Sequence, residues 1–229
     1  MSPAALSART YVRYAVPLTV LTALAFAPLL YLAWRAKLPA TISEGKSAVR
    51  LAWGLLAASL LPMLVLVGGV APAVRSVATG QPASQLRAFG DGVRGLVAAM
   101  VPCALAFMAA LLGMLALVVP GLVLLVLFAL VGASSGAGAG RLAEAAAVAR
   151  GRRTALAIAG VLLATLVLHA AAVWFVQRGL AVPLPKKPTP AQLGELRTLV
   201  RTSVIASAVI APFAAIALAA IHARGEVRP

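Results

Sequence analysis

The chain has 229 residues, 62% of them hydrophobic and only 11% charged, with a mean hydropathy of +1.02. Soluble domains carry roughly a quarter charged residues, so this chain lacks the polar side chains to cover a water-facing globule, which excludes a soluble enzyme or DNA-binding domain. Its 20 Lys and Arg against 5 Asp and Glu give a net charge of +15, but the cations are scattered through the connecting segments and form no clustered basic face, so anionic lipid headgroups are the expected partner and nucleic acid is not.

The expected class is therefore all-α: a polytopic helical membrane protein, one integral membrane domain over residues 1–229. A membrane helix needs about 20 mainly apolar residues. Six runs qualify, at 15–34, 50–71, 94–118, 120–136, 154–177 and 199–222. Before the first, Arg9 and Arg13 precede the apolar run Ala15–Ala33 in the manner of a signal peptide. That run exceeds the roughly 7–15 residues of a signal core, and no small-x-small cleavage site follows, so an uncleaved helix is expected.

Short amphipathic stretches lead into several spans: Ser43–Trp53, Ser84–Leu96, Arg141–Leu156 and Pro190–Val200. Thr41 with Glu44, and Thr189 with Pro190 and Gln192, are helix-start signatures. These stretches read as interfacial first turns that snorkel Arg toward headgroups. Internal duplication, as in many transporters, is the alternative.

Between Arg94 and Arg141 there is no charge. That run is too long for one crossing of a ~30 Å core, so two helices are expected, joined by a corner at Val119-Pro120-Gly121 where proline fixes φ and glycine admits φ > 0. The fourth span is short, and Gly132–Gly140 (GASSGAGAG) is poor helix. A thin crossing is expected there, with a re-entrant hairpin as the other option. Pro28, Pro62, Pro102 and Pro212 fall within spans, where neighbouring helices must satisfy the carbonyls they free. With abundant Ala and Gly they imply kinked, closely packed helices.

Six crossings put both termini on one side. That side would hold eleven cations and the other nine, a weak bias toward cytoplasmic termini. Trp34, Trp53 and Trp174 fall at span ends on the opposite side, as an interfacial belt would. The Pro-Gly corner and the loop Val182–Pro190 (VPLPKKPTP) are then expected outside, and the membrane is expected to be the bacterial cytoplasmic (inner) membrane.

Ionisable residues within spans are the usual mark of function in a membrane protein. Asp91, Glu144, Glu44, Glu195 and Glu226 fall in connections; His169 lies within a span and His222 at the end of the last. A neutral imidazole at His169 is expected to be satisfied by a carbonyl or hydroxyl across a helix contact. Gly132–Gly136 matches G-x-S-x-G, and six spans with a Ser and a His resemble an intramembrane rhomboid protease. A nucleophile elbow needs a strand-to-helix turn, however, and helix rise places His169 about 22 Å from the Ser134 side. Cys103 is the sole cysteine, so there is neither an internal disulfide nor a Cys cluster. With no P-loop, dinucleotide fingerprint or HExxH either, no catalytic, cofactor-binding or metal-binding residue and no cofactor is assigned.

The run Leu117–Leu130 (LVVPGLVLLVLFAL), followed by an Ala-rich helix ending Ala149-Arg150-Gly151-Arg152, resembles uncharacterised bacterial multi-pass families. These are akin to the membrane domain attached to some glycerophosphoryl diester phosphodiesterases. The likeness covers about residues 85–175. The family's acidic residue after the Pro-Gly span is replaced here by GASSGAGAG, and the catalytic domain is absent from the sequence. The resemblance implies a helical membrane module and transfers no site residue.

The functional expectation is a non-catalytic multi-pass subunit or scaffold of a larger envelope or transport assembly, bound to membrane lipids and other membrane protein subunits. A carrier or flippase for a lipid or other amphiphile is the alternative, and an intramembrane protease a distant third. Small residues such as Ala57, Ala58 and Ser59, or Ala206, Ser207 and Ala208, are expected to offer an outer face to a protein neighbour.

Overall fold

A computed structural model describes residues 2–35, 58–135, 139–180 and 190–226. Among these the regular structure is all helical: α1 (Pro3–Arg35), α2 (Leu60–Ala78), α3 (Gln85–Ala116), α4 (Val118–Phe128), α5 (Ala139–Ala149), α6 (Arg152–Leu180) and α7 (Pro190–Glu226). Five helices are long and apolar enough to cross a membrane: α1, α2, α3, the Arg152–Ala172 part of α6 and the Val200–Arg224 part of α7. The protein is an all-α, multi-pass membrane protein.

Helices α1, α2 and α7 form the centre. Tyr14, Phe26, Leu66, Val70, Ile216 and Leu218 are all but fully buried there. The outer faces carry bulky residues instead, among them Val16, Leu24, Val101 and Leu163, the side chains that suit lipid contact. The small residues expected outside are largely inside: Ser59 and Ser207 are buried, Ala58 and Ala208 pack against the core, and Ala57 lies outside the described residues. Close packing in lipid explains the inversion, because small side chains are what let helix backbones approach each other.

Near its start α1 departs from helical geometry at Tyr14 (φ −119°, ψ 27°). Pro17 three residues later cannot donate to the carbonyl of Arg13. Gln85 Nε2 from the first turn of α3 donates to that carbonyl instead, and the Tyr14 hydroxyl donates to the Ala83 carbonyl at 3.0 Å. The kink is thus sealed by the neighbouring helix start. Ser84 caps α3, accepting from the Arg87 amide at 3.3 Å, so the amphipathic stretch 84–96 is the opening of one long helix. Residues 190–200 likewise open α7, with Pro190 at its first position. Residues 141–156 are split, at Gly151, between α5 and α6. The expected features at 41–53 and Thr189 lie outside the described residues.

The expected fourth span, 120–136, is where the sequence reading needs correction. The chain breaks at Leu117 (φ −157°, ψ 134°), ahead of the Pro-Gly pair. Pro120 then sits in the first turn of α4, where its missing N–H costs nothing. Gly121 is helical, and a Cβ there would collide with the Met114 backbone on α3. Its glycine serves a close helix–helix approach and no corner. At 11 residues, α4 rises about 16 Å, half of a ~30 Å core.

Beyond Phe128 the chain continues without helix through Ser135, and Ala129, Leu130, Val131, Ala133 and Ser134 are all buried. Non-helical backbone at membrane depth persists only where protein covers it. Here α2 covers it. A Cβ on Gly68 would lie 2.6 Å from Ala99 Cβ, 2.8 Å from the Gly95 carbonyl and 2.9 Å from the Gly132 carbonyl. Three backbones therefore converge on one glycine.

The packing also fixes the order of passage. Gln85 meets Arg13, the Tyr11 and Phe213 rings stack at 4.8 Å, and Ser134 meets His222, so these residues share one end of the bundle. Leu117 closes the far end of the 32-residue α3. Between Leu117 and Ser134 the chain thus passes from one end to the other, half as helix and half as covered turn. The start of α1 and the finish of α7 lie at the same end.

Candidate functional site

Polar groups gather at two buried histidines. The first is His169 on α6, 3% exposed. Its helix packs mainly on α7 and otherwise presents Leu163, Leu166, Val167 and Leu168 outward. The imidazole is the polar exception on the inner face, and α7 presents Ser203 and Ser207 to it one turn apart. Ser203 Oγ lies 3.2 Å from Nε2 and Ser207 Oγ 2.9 Å from Nδ1. A neutral imidazole has one N–H and one acceptor nitrogen. One serine therefore donates and the other accepts, whichever tautomer is present. This is the hydroxyl partnership across a helix contact that the polarity of the span implied, doubled.

A cavity of about 220 Å³ adjoins this pair, between α2 and α6 with α7 as its floor. Apolar side chains line most of it, including Leu60, Met63, Leu162 and Ile210, and the polar atoms come from Ser59, Thr165, His169 and Ser207. Thr165 Oγ1 donates to the Val161 carbonyl of its own helix at 2.7 Å, the usual way a threonine hides its hydroxyl in an apolar helix.

The second histidine is His222, 1% exposed. Its Nε2 lies 3.4 Å from Ser134 Oγ and 3.3 Å from Glu144 Oε1 on α5. Both Glu144 oxygens accept from the Ser135 amide at 3.2 Å. Arg75 from the last turn of α2 donates to the Ala133 carbonyl at 3.1 Å. Four side chains from three helices and the turn thereby hold the non-helical run 129–135 at its exit.

A Ser, a His and a carboxylate in contact invite a catalytic reading, and Ser134 is the serine of the G-x-S-x-G match. The geometry does not form a relay. In a Ser-His-acid triad the serine and the acid occupy opposite ring nitrogens, so that one orients the imidazole while the other loses its proton. Here both contact Nε2. Ser134 Oγ also donates back to the Leu130 carbonyl at 3.2 Å and is 2% exposed, which occupies and shields the would-be nucleophile. The arrangement ties a turn.

The sequence reading separated Ser134 from His169 and the structure keeps them apart, each with another partner. It did not join Ser134 and Glu144 to His222. The signal was present: six crossings put the 137–153 connection and the end of the last span on one side, within reach of each other. Among the described residues no group of three or more His, Cys, Asp or Glu could hold a metal ion. No protein-family model, curated protein or solved structure matches the chain.

Proposed function

We propose that the protein is a non-catalytic subunit or scaffold of a larger envelope or transport assembly, in a bacterial cytoplasmic membrane with both termini cytoplasmic. One observation carries the reading: the turn joining α3 and α4 is wholly apolar and open. Leu115, Leu117, Val118 and Val119 are between 65% and 83% exposed. From Arg94 to Leu117 the helix rise is about 34 Å, more than the ~30 Å hydrocarbon core, so the turn reaches the far boundary. A turn ending in water there would carry polar side chains. Consecutive exposed apolar residues at such a place suit a protein contact, and another membrane subunit is the partner of matching chemistry.

A photo-crosslinking amino acid at Val118, activated in intact cells, tests this. The expected product is a discrete adduct with a second protein. Adducts with lipid alone would sink the subunit reading.

The carrier or flippase reading has its own support in the polar-tipped cavity beside His169. Transport of a labelled amphiphile by the purified protein alone in liposomes would promote it over the first.

A further inference from the structure

Helix α6 rests on α7, and α2 rests on the adjoining side of α7, so the cavity beside His169 is a cleft between two helices. Its mouth carries Leu166, 53% exposed, and therefore faces the acyl region. The depth is set by charged neighbours. Ser207 lies six residues beyond Arg201 and His169 nine before Arg178, about 9 and 13 Å of helix rise. That is close beneath the headgroups at the end of the bundle away from the termini. Acyl ester carbonyls and hydroxyls of lipids occupy that zone, and a bare hydrocarbon tail offers nothing to match a polar wall.

The wall has bonding capacity left over. If Ser207 donates to Nδ1, its oxygen can still accept; if it accepts from Nδ1–H, its own O–H can still donate. Thr165 has spent its O–H on Val161 and keeps an acceptor. A neutral hydroxyl complements this set in either tautomer, and a carbonyl does so where the Ser207 O–H is free. A charged headgroup does not, because the buried polar atoms supply no counter-charge.

We infer that the cleft between α2 and α6 binds one amphiphile with a long apolar chain and a single neutral oxygen function, its chain on Leu60, Met63, Leu162 and Ile210 and its oxygen on Ser207 and Thr165. The site goes beyond the subunit reading, which does not require it, and would supply the cargo site of the carrier reading.

The probe is a diazirine-bearing long-chain alcohol, crosslinked to the whole protein in nanodiscs and mapped by mass spectrometry, with the matching alkane as control. Adducts should concentrate on residues lining the cleft for the alcohol and not for the alkane. Leu166→Trp, which fills the mouth from an exposed position, should abolish that concentration while the protein stays monodisperse. Ser207→Ala should weaken the alcohol's competition by about threefold, one hydrogen bond's worth in a bilayer. Adducts spread evenly over exposed positions such as Val16 and Val101, or equal labelling by alkane and alcohol, would overturn the site. Retained binding without transport in liposomes would support the site and defeat the carrier reading alone.

Discussion

A buried imidazole in a helical bundle needs a partner for each ring nitrogen, and at His169 the two serines of α7 meet that need at 3.2 and 2.9 Å. Interhelical hydrogen bonds in a bilayer contribute only about 0.6 kcal/mol on average, because the separated helices find other partners. His169→Leu should therefore lower stability by about 1 kcal/mol, since Ser203 and Ser207 can turn back onto carbonyls of their own helix. His169→Gln keeps at least one bond at similar depth and should retain stability, abundance and activity. Reversible unfolding in mixed detergent measures the first; loss of activity at normal abundance in His169→Gln would show that the imidazole has a role beyond tying α6 to α7. Tyr14 and Gln85 follow the same logic at the kink, where the carbonyl freed by Pro17 finds a side-chain donor.

Helix contacts depend on where a side chain is missing. At Gly68 every atom that a Cβ would strike belongs to a backbone or to Ala99, and backbone cannot swing aside. Gly68→Val should cost about 3 kcal/mol or more, the upper end of overpacking penalties, and should loosen α2 from both α3 and the 129–135 run. Gly160 on α6 has open space around it, so Gly160→Ala should be neutral or stabilising by up to about 1 kcal/mol. Thermal unfolding of the two variants checks the contrast; equal melting temperatures would mean that the Gly68 convergence contributes little. Elements whose signals are local were legible in sequence. The long apolar runs became α1, α3, α6 and α7, and Pro190 marked a helix start. The end of α4 was not legible, because what covers the bare backbone after Phe128 is Gly68, more than 50 residues earlier in the chain. The Pro-Gly pair misled for a related reason: Gly121 is needed for the approach to Met114, a tertiary demand that looks identical to a turn signal. At the candidate site, His169 was identifiable by being the lone ionisable side chain within a span, whereas its pairing with Ser203 and Ser207, the two serines of α7, depends on the register between two helices, which no local pattern carries.

At the scale of the molecule, five long helices and the half-helical passage through α4 bring the start of α1 and the finish of α7 to one end, where Glu144, His222 and Arg75 also hold the 129–135 run. The cation count separating the two ends is only eleven to nine, so the positive-inside bias favours cytoplasmic termini by a small margin. The structure offers a clean way to decide. The native Cys103 is fully buried on α3, which leaves a low labelling background for cysteines placed elsewhere. Thr79, in the turn between α2 and α3, is exposed at the end that holds the termini; Lys186 lies outside the described residues, and six crossings of the chain lead to the expectation that it is on the opposite side. With a membrane-impermeant maleimide, Lys186→Cys should react in cells with a permeabilised outer membrane and an intact inner one, while Thr79→Cys should react only after the inner membrane is opened. The opposite pattern would invert the proposed orientation and place the apolar α3–α4 turn on the cytoplasmic side. Its partner would then have to be sought there. Reaction of both from outside would mean that residues 79 and 186 share a side, and the six-passage order itself would fail.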